Sequence, residues 1–141
     1  MKKIHLTFLI IMLVSSGVVS SLGAEKSSSS KVVAYYFRGT FRSPACRHLE
    51  SYCREAVETN FQAALASGKL EFQVVTLGDK GEGYYAGYYK IYARTFILSL
   101  IKDGKEVKWK NLDRIDGFVN DREGFSDYVK SEIAALLGEI E

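Results

Sequence analysis

Residues 32–46, V-V-A-Y-Y-F-R-G-T-F-R-S-P-A-C, restrict this chain to few folds because they turn a strand directly into a helix. The run over 32–38 is β-branched and aromatic and stops at Gly39. Its nearly continuous apolar character suits a central strand covered on both faces. Ser43 and Pro44 then open a helix: a hydroxyl caps the first free N–H groups, and proline fits the first helical position. Helix starts gather unpaired N–H groups and the positive end of the dipole, so a cysteine in the first turn sits where a thiolate is favoured. Cys46 occupies that turn and is the first candidate for chemistry.

The rest of the chain alternates. Helical spacing over 44–67 places Cys46, Leu49, Cys53, Ala56, Val57, Phe61, Ala64 and Leu65 on one stripe and Arg47, Glu50, Arg54, Glu55 and Glu58 elsewhere, with Gly68 as the stop. A second strand is expected over 70–77, a glycine-rich loop over 78–83 and a short helix over 84–92. A third strand follows over 95–102, Asp103-Gly104 is a two-residue hairpin signal, and a fourth strand covers 106–110. Residues 112–118 suit a helical turn, and Asn120 with Glu123 three positions on reads as the cap of a last helix ending near Leu137. The order β-α-β-α-β-β-α is that of an α/β domain with a central mixed four-stranded sheet flanked by helices.

A length of 141 residues allows one such domain. Met1-Lys2-Lys3, the apolar run from Leu6 to Val14 and the small residues up to Ala24 read as a secretory signal peptide over 1–24, cut after Ala24 or after Ser21. The apolar run is shorter than the ~20 residues that span a bilayer, so no stable membrane span is expected after cleavage. Export, to a periplasm or to the outside, implies an oxidising compartment. Residues 25–30, E-K-S-S-S-S, read as a flexible tether, leaving 31–141 as the folded domain. Without Lys2 and Lys3, the 19 basic side chains become 17 against 17 acidic ones, which argues against nucleic acid as a partner.

Cys46 and Cys53 are the only cysteines. Seven helical residues rise about 10 Å, beyond the ~7 Å between Cα atoms that a disulfide accepts, so the two should not pair. Cys53 falls on the apolar stripe as a small buried hydrophobe. Cys46 is open to two readings, an inert core residue or a reactive thiol. Arg38, Arg42, Arg47 and His48, beside a helix N-terminus, could hold an anion or be solvated. His48 lies about 200° around the helix from Cys46, which leaves no metal site expected. Five tyrosines, Tyr84, Tyr85, Tyr88, Tyr89 and Tyr92, crowd one segment and cannot all be buried. These rings either roof the sheet with their hydroxyls at the rim or, with Tyr84 and Tyr88 as the expected exposed pair, form a candidate surface for a protein partner or an aromatic anion.

The pattern Ser43-Pro44-Ala45-Cys46 after a buried strand resembles the thioredoxin superfamily, whose C-x-x-C dithiol occupies this place. More narrowly, Y-Y-F-R-G-T-F-R-S-P-A-C-R-H-L-E-S-Y-C-R-E-A-V-E and the later W-K-N-L-D look like small exported thioredoxin-like proteins of the ArsF type, subunits of nitroaromatic reductases. The resemblance implies a thioredoxin-like fold with no cofactor, in which the patch of Tyr84 and Tyr88 would adjoin Cys46 and the arginines. It also implies that Cys46 matches the second, resolving cysteine and that Ser43 replaces the nucleophile, a degenerate motif. The family's cis-proline place falls on Thr95 or Phe96, where a trans bond is expected, and this puts Thr95 with the arginines at the ligand-facing edge. Two functions follow: an accessory or binding subunit for a partner redox protein, or a monothiol thiol-disulfide oxidoreductase in which Cys46 forms a mixed disulfide with a protein or a small thiol.

Overall fold

The computed structural model describes residues 29–140. The expected signal peptide and most of the tether lie outside the described residues. Strand β1 (Lys31–Gly39) pairs in parallel with β2 (Leu70–Leu77) and antiparallel with β3 (Thr95–Lys102), which pairs antiparallel with β4 (Lys105–Asn111). The sheet order is β2-β1-β3-β4, mixed and four-stranded. The inner strand β1 carries the expected apolar run, and β3 beside it is also apolar, because both faces of each are covered.

Alternation along the strands divides the interior in two. Val32, Ala34 and Tyr36 of β1 with Phe96, Leu98 and Leu100 of β3 face helices α1 (Pro44–Asn60) and α4 (Arg122–Leu137). Leu49, Cys53, Val57, Phe125, Val129 and Ile133 complete that core. On the other face, Phe37, Val75 and Ile97 pack under Tyr89 and Ile91, with Tyr35 and Tyr85 at the margin. The cover there comes mainly from one short helix, numbered α3 below, so the two faces are unequal in depth.

Three boundaries differ from expectation, each for a local reason. The long first helix breaks at Phe61 (φ −130°, ψ 32°), and a separate turn, α2 (Gln62–Ala66), follows. The Asn60 side-chain amide donates to the Ala56 carbonyl at 2.8 Å, offering that acceptor an alternative to the helical ladder, while Phe61 turns onto the core. Helix α3 (Gly83–Tyr89) stops early because Lys90 adopts a left-handed conformation, which leaves Tyr92 outside the helix and 92% exposed. The last helix is capped by Asp121 and not by Asn120. The Asp121 carboxylate accepts the Gly124 N–H at 2.9 Å, an approach that a Cβ at Gly124 would obstruct. The hairpin is as expected: Asp103 and Gly104 both have positive φ, the requirement of a type I′ turn.

A candidate functional site around Cys46

Ser43 is the N-cap of α1, with an extended backbone that turns its hydroxyl back over the first turn. The hydroxyl oxygen accepts the Cys46 N–H at 3.2 Å, and its proton is directed to Cys46 Sγ at 3.3 Å. One side chain therefore caps the helix and solvates the sulfur. From below, the Tyr36 hydroxyl donates to the Cys46 carbonyl at 3.0 Å, tying this turn to the central strand. The sulfur's third neighbour is Arg94, in the segment leading into β3, whose Nη1 stands 3.5 Å from Sγ. Arg94 is in turn held by Asp116, in the 3₁₀ turn Asp113–Phe118, through an Nε–Oδ1 hydrogen bond of 2.7 Å.

The electrostatic result is a thiol held below its ordinary value. The Ser43 hydroxyl is the largest cause, partial burial opposes it, and Arg94 adds to the lowering. Arg94 is shifted upward, first by its hydrogen bond to Cys46 and then by Asp116. Cys46 is a partly exposed residue, unlike Cys53. Cys53 is the opposite case: fully buried, its thiol pushed well up by desolvation. It is a packing residue, as its place on the apolar stripe implied.

The arginines near the motif are arranged around an acid. Arg38 Nη1 meets both Glu50 oxygens, at 3.1 and 2.9 Å, and Arg42 Nη2 meets Oε2 at 2.7 Å. Arg47 is exposed and donates to the Arg42 carbonyl at 3.0 Å. Glu50 thus takes the place against Arg38 and Arg42 that an external anion would need, and an anion must compete with it. Thr95, at the edge of β3, donates to the Ala93 carbonyl at 3.1 Å, and every peptide bond in the described residues is trans. Glu50 lies off the apolar stripe of the helix, and nothing in the sequence pairs it with Arg38. Arg94 is the residue that sequence reasoning missed: it lies 48 positions from Cys46, and only the sheet order brings the two together.

Tyr84 and Tyr88 are exposed as expected, at 68% and 45%. Their position relative to Cys46 is corrected. Helix α3 packs on the Phe37 face of the sheet, whereas Cys46 is anchored to Tyr36 on the opposite face. The tyrosines therefore do not share a surface with the thiol. Among the described residues, no group of three or more His, Cys, Asp or Glu side chains could hold a metal ion, and no helix is long and apolar enough to cross a membrane.

No family model matches the chain, and no curated protein does either. Among solved structures, a malarial protein is 18% identical, covering 77% of this chain and 96% of its own, with a TM-score of 0.41. Fasciola hepatica thioredoxin is 18% identical over 79% of this chain and 82% of its own, at 0.40. A cysteine-to-serine mutant of Entamoeba histolytica thioredoxin is 21% identical over 74% and 84%, at 0.37. The fold is thioredoxin-like by its own strand order, its β-α-β-α-β-β-α connections and the position of its first helix.

Proposed function

We propose that this protein is an exported thioredoxin-like accessory domain that captures a partner through a single activated thiol, Cys46, without cycling a dithiol of its own. The observation that supports it best is the setting of the Cys46 sulfur, partly exposed between the Ser43 hydroxyl and the Arg94 guanidinium. Both neighbours favour the thiolate, the form that attacks disulfides. Ser43 occupies the place of a first cysteine, and Cys53 is sealed in the core two turns away, so the domain has no thiol of its own to resolve what Cys46 captures.

In the step proposed, the Cys46 thiolate attacks one sulfur of a disulfide. A bond from Sγ to that sulfur forms as the original sulfur–sulfur bond breaks. The departing thiolate takes a proton from water, and an external thiol later reverses the exchange. Export rests on the basic-then-apolar opening of the chain. A partner redox enzyme, of the class that reduces nitroaromatic compounds, rests on the resemblance of the two quoted stretches to ArsF-type subunits.

The test is to treat the native protein with a small aromatic disulfide and to locate the adduct by mass spectrometry. One mixed disulfide on Cys46 is expected, lost in Cys46→Ala and kept in Cys53→Ala, with no catalytic reduction of insulin. Failure of Cys46 to react faster than an unstructured thiol would remove covalent capture and leave a purely non-covalent binding domain. Insulin turnover at the rate of a dithiol thioredoxin would overturn the accessory reading.

A further inference from the structure

On the sheet face opposite Cys46, α3 and the strands beneath it form an open pocket of about 220 Å³. Tyr35, Tyr84, Tyr85, Tyr88 and Tyr89 line it, together with the carboxylate of Glu106 from β4. The rings are in mutual contact: Tyr84 stacks on Tyr88 at 5.4 Å, Tyr85 lies parallel to Tyr89 at 6.2 Å, and Tyr35 adjoins Tyr85 at 5.6 Å. Glu106 Oε1 accepts the Tyr88 hydroxyl at 2.7 Å, and Oε2 accepts the Tyr89 hydroxyl at 2.5 Å and also the Ser99 hydroxyl. No lysine or arginine forms an ion pair with Glu106 among the described residues, although several other surface acids are so paired.

These features specify a ligand. A carboxylate without a cationic partner, beside electron-rich rings, attracts positive charge and repels anions, which speaks against the aromatic anion expected at Tyr84 and Tyr88. Three hydroxyls already fill most of the roughly four acceptor positions of a carboxylate, leaving little for an N–H donor to engage. The ligand best matched is a cation that needs no hydrogen bond and binds through charge and ring faces. The volume lies below the ~300 Å³ at which drug-sized sites begin, so it suits a small head group. We propose that this tyrosine cage binds a small free quaternary ammonium compound of the choline class, independently of the chemistry at Cys46.

Trp109 is the chain's single tryptophan and meets Tyr89 edge-on at 5.2 Å, so its fluorescence reports on the cage. The purified protein is titrated with choline and, separately, with its uncharged carbon isostere dimethylbutanol, at matched ionic strength because salt screens exposed charge. A saturable fluorescence change with choline and none with the isostere is expected. Glu106→Gln, which keeps the shape and an acceptor oxygen but removes the charge, should weaken choline binding at least about tenfold. Tyr84→Ala, at a mostly exposed ring, should fold and weaken binding severalfold, and it keeps the test open should Glu106→Gln fail to fold. No response to choline, equal binding of the isostere, or unchanged affinity in either folded variant overturns the proposal. Binding of a trimethyllysine peptide in the absence of choline binding would overturn the assignment to a free small ligand.

Discussion

Ser43 shows how much one hydroxyl can do. As a cap it is worth about 1 kcal/mol of helix stability, and as a donor to Sγ it is the largest influence lowering the Cys46 thiol. Both effects vanish in Ser43→Ala, whereas Arg94→Gln removes a partner of the sulfur and its ion pair with Asp116 but no helix cap. Alkylation rate against pH separates them. The wild-type midpoint should lie below that of an ordinary thiol, and both variants should move it upward, with Ser43→Ala moving it further and lowering the melting temperature more than loss of the exposed Arg94–Asp116 pair does. The linkage has a definite sign: a thiol lowered by folding adds stability above its unfolded-state value, and that stability is lost as pH falls through the folded value. The same geometry makes a second outcome accessible. Ser43 Oγ and Cys46 Sγ are 3.3 Å apart, against a sulfur–sulfur bond of about 2.05 Å, so oxidised Ser43→Cys should close a disulfide after a small rotation. Thiol titration of the denatured, oxidised variant should then find one free thiol, Cys53; finding three would mean that positions 43 and 46 do not share the geometry described.

The elements legible in sequence were those whose signals are local. Strands β2 and β3 have the expected limits because each is a run rich in β-branched and apolar residues that a glycine-bearing turn closes, and the hairpin follows from Asp103-Gly104. The errors arose where a side chain competes with the backbone or where geometry decides between adjacent caps. Asn60 diverts the Ala56 carbonyl at the end of α1, and Asp121 displaces Asn120 as the cap of α4 because Gly124 admits its carboxylate. The site was legible in part: the cap, the proline and Cys46 are contiguous, whereas Arg94 and Asp116 arrive from distant segments, so no spacing rule reveals them. The cap assignment can be checked directly. Asp121→Ala should cost about 1 kcal/mol in denaturant unfolding, as the loss of a side-chain cap does, while Asn120→Ala should fall within about 0.5 kcal/mol of wild type. Equal costs at the two positions would mean that the cap is shared.

Across the fold, the sheet separates two kinds of surface. One face is deeply covered by α1 and α4, and the Arg122 guanidinium of α4 reaches Glu55 of α1 to reinforce their packing. The thiol sits at the end of this deeply packed half, with its first turn anchored to the buried Tyr36. The other face is thinly covered by a seven-residue helix whose outer rings remain in water. Stability should therefore be concentrated on the α1/α4 side. Phe125 is fully buried there against Tyr52 and Phe118, so Phe125→Ala should cost about 3–5 kcal/mol, the range for a large aromatic removed from a core. At about 4–8 °C per kcal/mol for a domain near this size, its melting temperature should fall by well over 10 °C. Tyr84→Ser with Tyr88→Ser removes two rings of similar size from the thin side, and as exposed positions they should together cost no more than about 1 kcal/mol. Thermal unfolding of the two variants side by side measures the contrast. A fall for the tyrosine pair as large as that for Phe125→Ala would mean that α3 is integral to the core, and the cage would then have to be read as packing.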